Sequence, residues 1–192
     1  MGTLTVTEFI SVDGVIDSPG GEPGYPHAGW TFDIDADPAM YGAVAEAYAG
    51  IAGLVLGRVT YDGFAAAWPQ RENAGGEDSQ FAVQLGDLPK YVVSRTLTDP
   101  TWRNTTVLSS VDEVAALKAD SGPLLVGGSG ALARDLYKAG LVDRWHLLVF
   151  PVVLGSGKRL FPTDAEDKQK LTLTDHRTFA NGVQLQVLDA IR

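Results

Sequence analysis

Apolar and polar positions follow two rhythms along the chain, one of strands and one of helices. Thr3 to Ile10 is rich in threonine and in β-branched or aromatic residues, and Asp13-Gly14 follows it, which predicts an opening strand closed by a turn. From Asp37-Pro38 the apolar positions Met40, Val44, Ala47, Tyr48 and Ile51 recur at helical spacing, with Asp37 as N-cap and Pro38 in the first turn. Leu54-Val55-Leu56 reads as a short buried strand closed by Gly57, with Thr60 as the cap of a second helix. The strand theme returns at Pro89 to Ser94 and at Thr105 to Leu108. Ser110 to Glu113 then has capping-box spacing ahead of a helix that stops at Gly122-Pro123. Leu124-Leu125-Val126 is another buried run, Leu132 and Leu136 line the next helix, Gly140 occupies a C-cap position, and Trp145 to Phe150 is again a strand.

The last segment changes character. Leu171 to Thr174 and Val183 to Val187 alternate apolar and polar residues and flank Asn181-Gly182, which predicts an antiparallel hairpin. Strands alternating with helices imply parallel pairing through right-handed crossovers. The expectation is an α/β fold of three layers: a mostly parallel mixed sheet, helices on both faces and a C-terminal antiparallel hairpin, in one domain over residues 1–192. Residues 17–37 hold a long Gly-, Pro- and Asp-rich loop in which Trp30 and Phe32 are embedded.

Composition narrows what such a sheet could do. Fifteen Lys and Arg against 24 Asp and Glu give a formal net charge of −9, so phosphate polymers and anionic lipid surfaces are repelled, and neither nucleic acid nor membrane is expected as a partner. The absence of Cys removes disulfides, thiolate nucleophiles and Cys-ligated metals together. His27, His146 and His176 have no metal-ligand spacing, and no metal is expected. The amino terminus lacks the basic and apolar regions of a signal peptide and no run approaches the ~20 apolar residues of a spanning helix, so a cytoplasmic location is expected.

Candidate chemistry gathers at strand ends. In Val126-Gly127-Gly128-Ser129-Gly130-Ala131-Leu132 a buried strand gives way to four small residues and then a helix, an arrangement in which backbone N–H groups and the positive helix end favour a pyrophosphate. The same segment satisfies the Rossmann glycine spacing, but no acid stands at the end of the next strand. It also nearly spells a nucleophile elbow around Ser129, with Asp143, Asp175 and His176 downstream, so a serine hydrolase is an alternative from another class. Gly57-Arg58-Val59-Thr60 and Ser94-Arg95-Thr96 each join a cation to hydroxyl donors just after a buried run. Three phosphate-competent turns after three parallel strands fit one extended dinucleotide.

Ser11-Val12-Asp13-Gly14-Val15-Ile16, Leu56-Gly57-Arg58-Val59-Thr60-Tyr61, Val93-Ser94-Arg95, Val126 to Gly130, and Gly140 to Asp143 leading to Pro151 together carry a resemblance. The chain resembles the dihydrofolate reductase superfamily, and more closely the bacterial reductases similar to the reductase domain of bifunctional riboflavin biosynthesis enzymes. The resemblance implies NADPH as cofactor, with Gly57, Arg58 and Thr60 on the nicotinamide and pyrophosphate side, and Ser94 and Arg95 at the adenosine 2′-phosphate. Gly127, Gly128, Ser129, Gly130, Ala131 and Leu132 would then cradle the pyrophosphate. It implies hydride transfer to a small planar heterocycle or related molecule, in the manner of 5-amino-6-(5-phosphoribosylamino)uracil reductase, with Asp13 as a polar or proton-relay group and Trp30 and Phe32 as pocket walls. Dihydrofolate reduction and a nucleotide-binding protein without turnover are the alternatives within that resemblance. The terminal hairpin supplies an edge through which a homodimer could form.

Overall fold

The computed structural model describes residues 2–161 and 168–191. Eight strands form one sheet: β1 Leu4–Ser11, β2 Gly53–Gly57, β3 Lys90–Val93, β4 Thr105–Leu108, β5 Leu124–Gly127, β6 Arg144–Phe150, β7 Leu171–Thr178 and β8 Gln184–Ala190. Their spatial order is β4-β3-β2-β5-β1-β6-β8-β7. The six strands from β4 to β6 pair in parallel, and β8 and β7 add antiparallel at one edge. The expected mixed sheet with its terminal hairpin is present.

Period-two alternation divides the apolar residues between two faces. Leu4, Val6 and Ile10 of β1 share one face with Val55, Val126, Trp145 and Leu147, and helices α4 (Val111–Asp120) and α5 (Gly130–Lys138) cover it through Val114, Leu132, Ala133 and Leu136. On the opposite face, Leu148, Phe150 and Leu185 pack against Met40 and Ala43 of α1 (Pro38–Tyr48) and against Trp30, which opens a short 3-10 turn, Trp30–Asp33. Farther along that face, Leu54, Leu56, Val92 and Leu125 meet Tyr48, Tyr61 of α2 (Arg58–Arg71) and Leu85 of α3 (Glu77–Asp87). Burying a large aliphatic side chain contributes roughly 1.5–3 kcal/mol, so these two apolar layers hold the strand ends that build the site.

Local departures from the expected elements have identifiable causes. Asp37 caps α1 as expected, its carboxylate accepting from the N–H groups of Ala39 and Met40. Helix α2 starts at Arg58 with Gly57 as N-cap, so Thr60 lies inside its first turn and does not cap it. Ser110 is the N-cap of α4, but its hydroxyl makes no capping bond, and Glu113 reaches back to the Ser109 N–H instead. Helix α3 carries little apolar periodicity beyond Phe81, Ala82 and Leu85, and no sequence signal marked it. The hairpin loop is a three-residue one: Phe179 and Val183 pair, the Gly182 N–H donates to the Phe179 carbonyl, and Gly182 adopts φ +85°, where a Cβ would be strained.

Candidate functional site

Strands β2 and β5 are neighbours, and both pass directly into helices at their C-terminal ends. The first turns of α2 and α5 therefore stand side by side, each with the N–H groups that a helix start leaves without intrahelical partners. Two hydrogen bonds lock them together. The Gly57 N–H donates to Ser129 Oγ at 3.0 Å, and Thr60 Oγ1 donates to the Gly128 carbonyl at 2.9 Å. The Gly128 N–H donates to the Thr7 carbonyl at 3.3 Å, which ties the same turn to β1. The glycines follow from this closeness. Gly128 has φ +62°, a Cβ on Gly127 would stand 2.6 Å from the Tyr48 hydroxyl, and one on Gly130 would run into Ile16.

Ser129 is buried, and its hydroxyl donates to the Gly127 carbonyl while accepting from Gly57. It is a strut between two strand ends. No histidine contacts it among the described residues: His146 pairs with Thr7 Oγ1 at 3.0 Å, His176 stands on the exposed β7, and His27 lies edge-on to Tyr25. Asp143 is at the other end of the strands, accepting from the Leu4 N–H and pairing with the buried Lys118. The triad needed by a Ser129 hydrolase is not assembled. A shallow depression beside Lys118 and Arg144 offers no free charge either, since these cations pair with Asp143 and Asp189.

At the end of β3, next to β2, Ser94 Oγ accepts from the N–H groups of Thr96 (3.2 Å) and Leu97 (3.1 Å), folding the chain so that Arg95 is exposed. Arg95 forms no ion pair among the described residues. Arg58 differs, because Asp62 one turn along α2 accepts from its Nε through both carboxylate oxygens, at 2.9 and 2.8 Å. Ala131 and Leu132 belong to the first turn of α5, where Leu132 is buried.

Asp13 is tied into a backbone network between two loops. Its carboxylate accepts from Ser11 Oγ (2.7 Å) and from the N–H groups of Leu154 (3.1 Å) and Gly155 (2.9 Å), joining the loop after β1 to the loop after β6. The Ser11 hydroxyl and these amide donors hold its pKa down at about 2, so it is a fixed anion at neutral pH. Asp17 repeats the device by accepting from both the backbone and the side chain of Lys158. Trp30 is 2% exposed, with Nε1 donating to the Asp17 carbonyl and its ring edge-on to Phe150, so it buttresses the core and presents no open wall. Phe32 is 70% exposed at the rim.

Two groups near this turn escaped the sequence reading. Glu8 lies on the apolar face of β1 between Val6 and Ile10, 5% exposed, with no hydrogen-bond partner for Oε1. Burial raises its pKa to about 8, against the opposing pull of Arg134. Tyr48, at the end of α1, is buried with its hydroxyl against Gly127, and burial followed by the charge of Glu8 raises its pKa. A polar letter in the inward phase of an apolar strand was the available signal for Glu8. No group of three His, Cys, Asp or Glu that could hold a metal occurs among the described residues.

Residues 2–185 match the model of the RibD C-terminal domain family. The uncharacterized protein YyaP of Bacillus subtilis (strain 168) is 28% identical over 181 residues, covering 91% of this chain and 87% of that protein. A putative riboflavin biosynthesis protein from Shewanella sp. PV-4 superposes with a TM-score of 0.73 at 19% identity, over 99% of both chains. The dihydrofolate reductase of Enterococcus faecalis, complexed with NADP(H) and RAB-propyl, superposes with a TM-score of 0.59 at 17% identity, over 100% of this chain and 98% of that one. The fold is the dihydrofolate reductase-like three-layer arrangement.

Proposed function

The chain belongs to the RibD C-terminal domain family, and from that premise we propose that it is an NADPH-dependent reductase acting on a small planar heterocycle or a related acceptor. The observation that carries this reading is the pair of helix N-termini, α2 and α5, locked side by side by the Gly57–Ser129 and Thr60–Gly128 hydrogen bonds. Ligands of open α/β sheets bind outside the carboxyl ends of the strands, and two adjacent N-termini suit a pyrophosphate. The residues fit the cofactor in three respects. Gly127, Gly128 and Gly130 keep side chains away from the turn, Thr60 and Gly57 line its other wall, and the exposed Arg95, without an ion pair among the described residues, suits a 2′-phosphate.

NADPH supplies the hydride when bound, and the protein's work is to hold donor and acceptor together and to exclude water. Asp13 contributes by fixing the 154–155 loop over the end of β1. The acceptor is the less determined partner. Folate reductases carry an acid on the first helix, whereas the acid of α1, Glu46, pairs with Arg177 of β7 at 2.8 Å. The buried positions of α1 are Met40, Ala43 and Tyr48, none of them a carboxylate. This supports an acceptor that needs no anchoring carboxylate from α1.

Titration of the protein with NADPH and with NADH, followed by nicotinamide fluorescence, tests the cofactor. NADPH should bind more tightly, and Arg95→Ala should weaken NADPH by roughly 10- to 100-fold, the worth of charged hydrogen bonds of ~1.5–3 kcal/mol, while leaving NADH unchanged. Equal affinity for the two nucleotides, or equal loss of both in Arg95→Ala, would contradict the assignment.

A further inference from the structure

An acceptor that takes a hydride onto carbon needs a proton for the neighbouring atom, and Asp13 is held as an anion by Ser11, Leu154, Gly155 and Arg159. The molecule places two other acids where the sheet opens. Thr7 is the last β1 residue in register with β5, opposite Gly127, yet β1 continues for four more residues, pairing with β6 as far as Ser11. Glu8 is therefore the first β1 residue past the end of β5. It is buried, Oε1 lacks a partner, and it forms no ion pair among the described residues. From the other face, α1 brings the Tyr48 hydroxyl against Gly127. That hydroxyl has no hydrogen-bond partner among the described residues either.

We propose that Glu8, beside the end of β5 and within electrostatic reach of the Tyr48 hydroxyl, is kept as a neutral carboxylic acid and furnishes the proton that accompanies hydride transfer. The inference rests on the NADPH reading above. In the step it describes, the acceptor's electrophilic carbon gains hydride from the nicotinamide and its double bond opens. The electron pair released onto the neighbouring atom takes the proton from the Glu8 carboxyl, and the resulting carboxylate regains a proton from solvent. Atoms and charge balance as acceptor, NADPH and one proton giving reduced acceptor and NADP+. A carboxyl is the fitting reservoir because its burial raises its pKa to about 8, whereas the phenol, raised further by burial and by the Glu8 charge, keeps its proton. The charged group that faces Glu8 from α5 is Arg134, whose Nη1 donates to the Arg159 carbonyl, and the facing group from α1 is Tyr48.

Difference infrared spectroscopy of the full chain at pH 7, with and without saturating NADP+, tests this without needing an acceptor. The wild type should show the carbonyl stretch of a protonated carboxylic acid, lost in Glu8→Gln, displaced in Tyr48→Phe, and shifted when NADP+ binds. Carboxyl-labelled glutamate in the wild type assigns the same band if Glu8→Gln does not fold. NADP+ binding that leaves the band unmoved, or the absence of any protonated glutamate at pH 7, overturns the proton assignment alone. Failure of NADP+ to bind at all removes the cofactor reading, and the proton assignment with it.

Discussion

Burial of Glu8 makes stability depend on pH in a direction opposite to that of an ordinary surface carboxylate, and Glu8→Gln isolates the effect. The group binds its proton with a pKa of about 8 in the folded protein, against 4.5 for an unperturbed glutamate. Between these values the native state holds a proton that the unfolded chain has released, so the unfolding free energy falls as pH rises through that window. The contribution is fully present below about pH 4.5 and gone once pH exceeds the folded value. Each pH unit corresponds to about 1.4 kcal/mol, so the whole window spans up to ~5 kcal/mol, and the interval from pH 5.5 to 7.5 about 3 kcal/mol. Against a typical total of 5–15 kcal/mol this is large. His146, whose pKa burial lowers, acts with the opposite sign, which is why the comparison must be between wild type and variant at each pH. Urea unfolding followed by tryptophan fluorescence should show Glu8→Gln gaining on the wild type steadily from pH 5.5 to 7.5. Parallel curves across that range would refute the reasoning, because they would mean that Glu8 ionises in the folded state as it does in the unfolded one.

Other perturbations read different parts of the site. Gly127→Ala sets a methyl 2.6 Å from the Tyr48 hydroxyl and should cost ~1–3 kcal/mol in urea unfolding, with most of that loss relieved when Tyr48→Phe is added. Ser129→Ala leaves the Gly57 N–H without its partner and should destabilise the protein by ~1–3 kcal/mol, with no ester turnover to lose in either wild type or variant. Asp13 has its pKa lowered to about 2, so it stabilises the fold above its ordinary value of 3.8, and that contribution is lost as pH falls toward 2. Asp13→Asn should flatten the acid limb of the unfolding curve and speed amide exchange at Leu154 and Gly155.

What could be read from residues alone divides along physical lines. Continuous apolar runs and regular alternation announce themselves, which is why the wholly buried β5, the strongly amphipathic α5 and the final hairpin follow the apolar pattern closely. Helix α3 does not, because Ala82 and Leu85 are its only buried apolar side chains described and no side-chain cap marks its start. The three strand-end turns were visible as glycine, hydroxyl and cation clusters, and β2, β3 and β5 carry them at neighbouring strand ends. Their internal roles were not visible. Ser129 looks like a nucleophile in one dimension because a small residue flanked by glycines suits an elbow, but only the pairing of β2 with β5 shows its hydroxyl bonded to Gly57. Thr60 likewise reads as a cap until the helix is seen to begin two residues earlier, leaving its hydroxyl to reach Gly128. Asp13 and Glu8 exchange chemical character for the same reason. The Ser11 hydroxyl and the distant amides at Leu154 and Gly155 hold the pKa of one down, and burial raises that of the other.

The central claim is that the ends of β2, β3 and β5 hold NADPH. A crystal structure of the protein grown with NADP+ tests it most directly. The account predicts density for the pyrophosphate at the N-termini of α2 and α5, within hydrogen-bonding reach of backbone N–H groups between Gly128 and Leu132, and for the 2′-phosphate against Arg95. A dinucleotide bound elsewhere, or one whose 2′-phosphate lies away from Arg95, would contradict it.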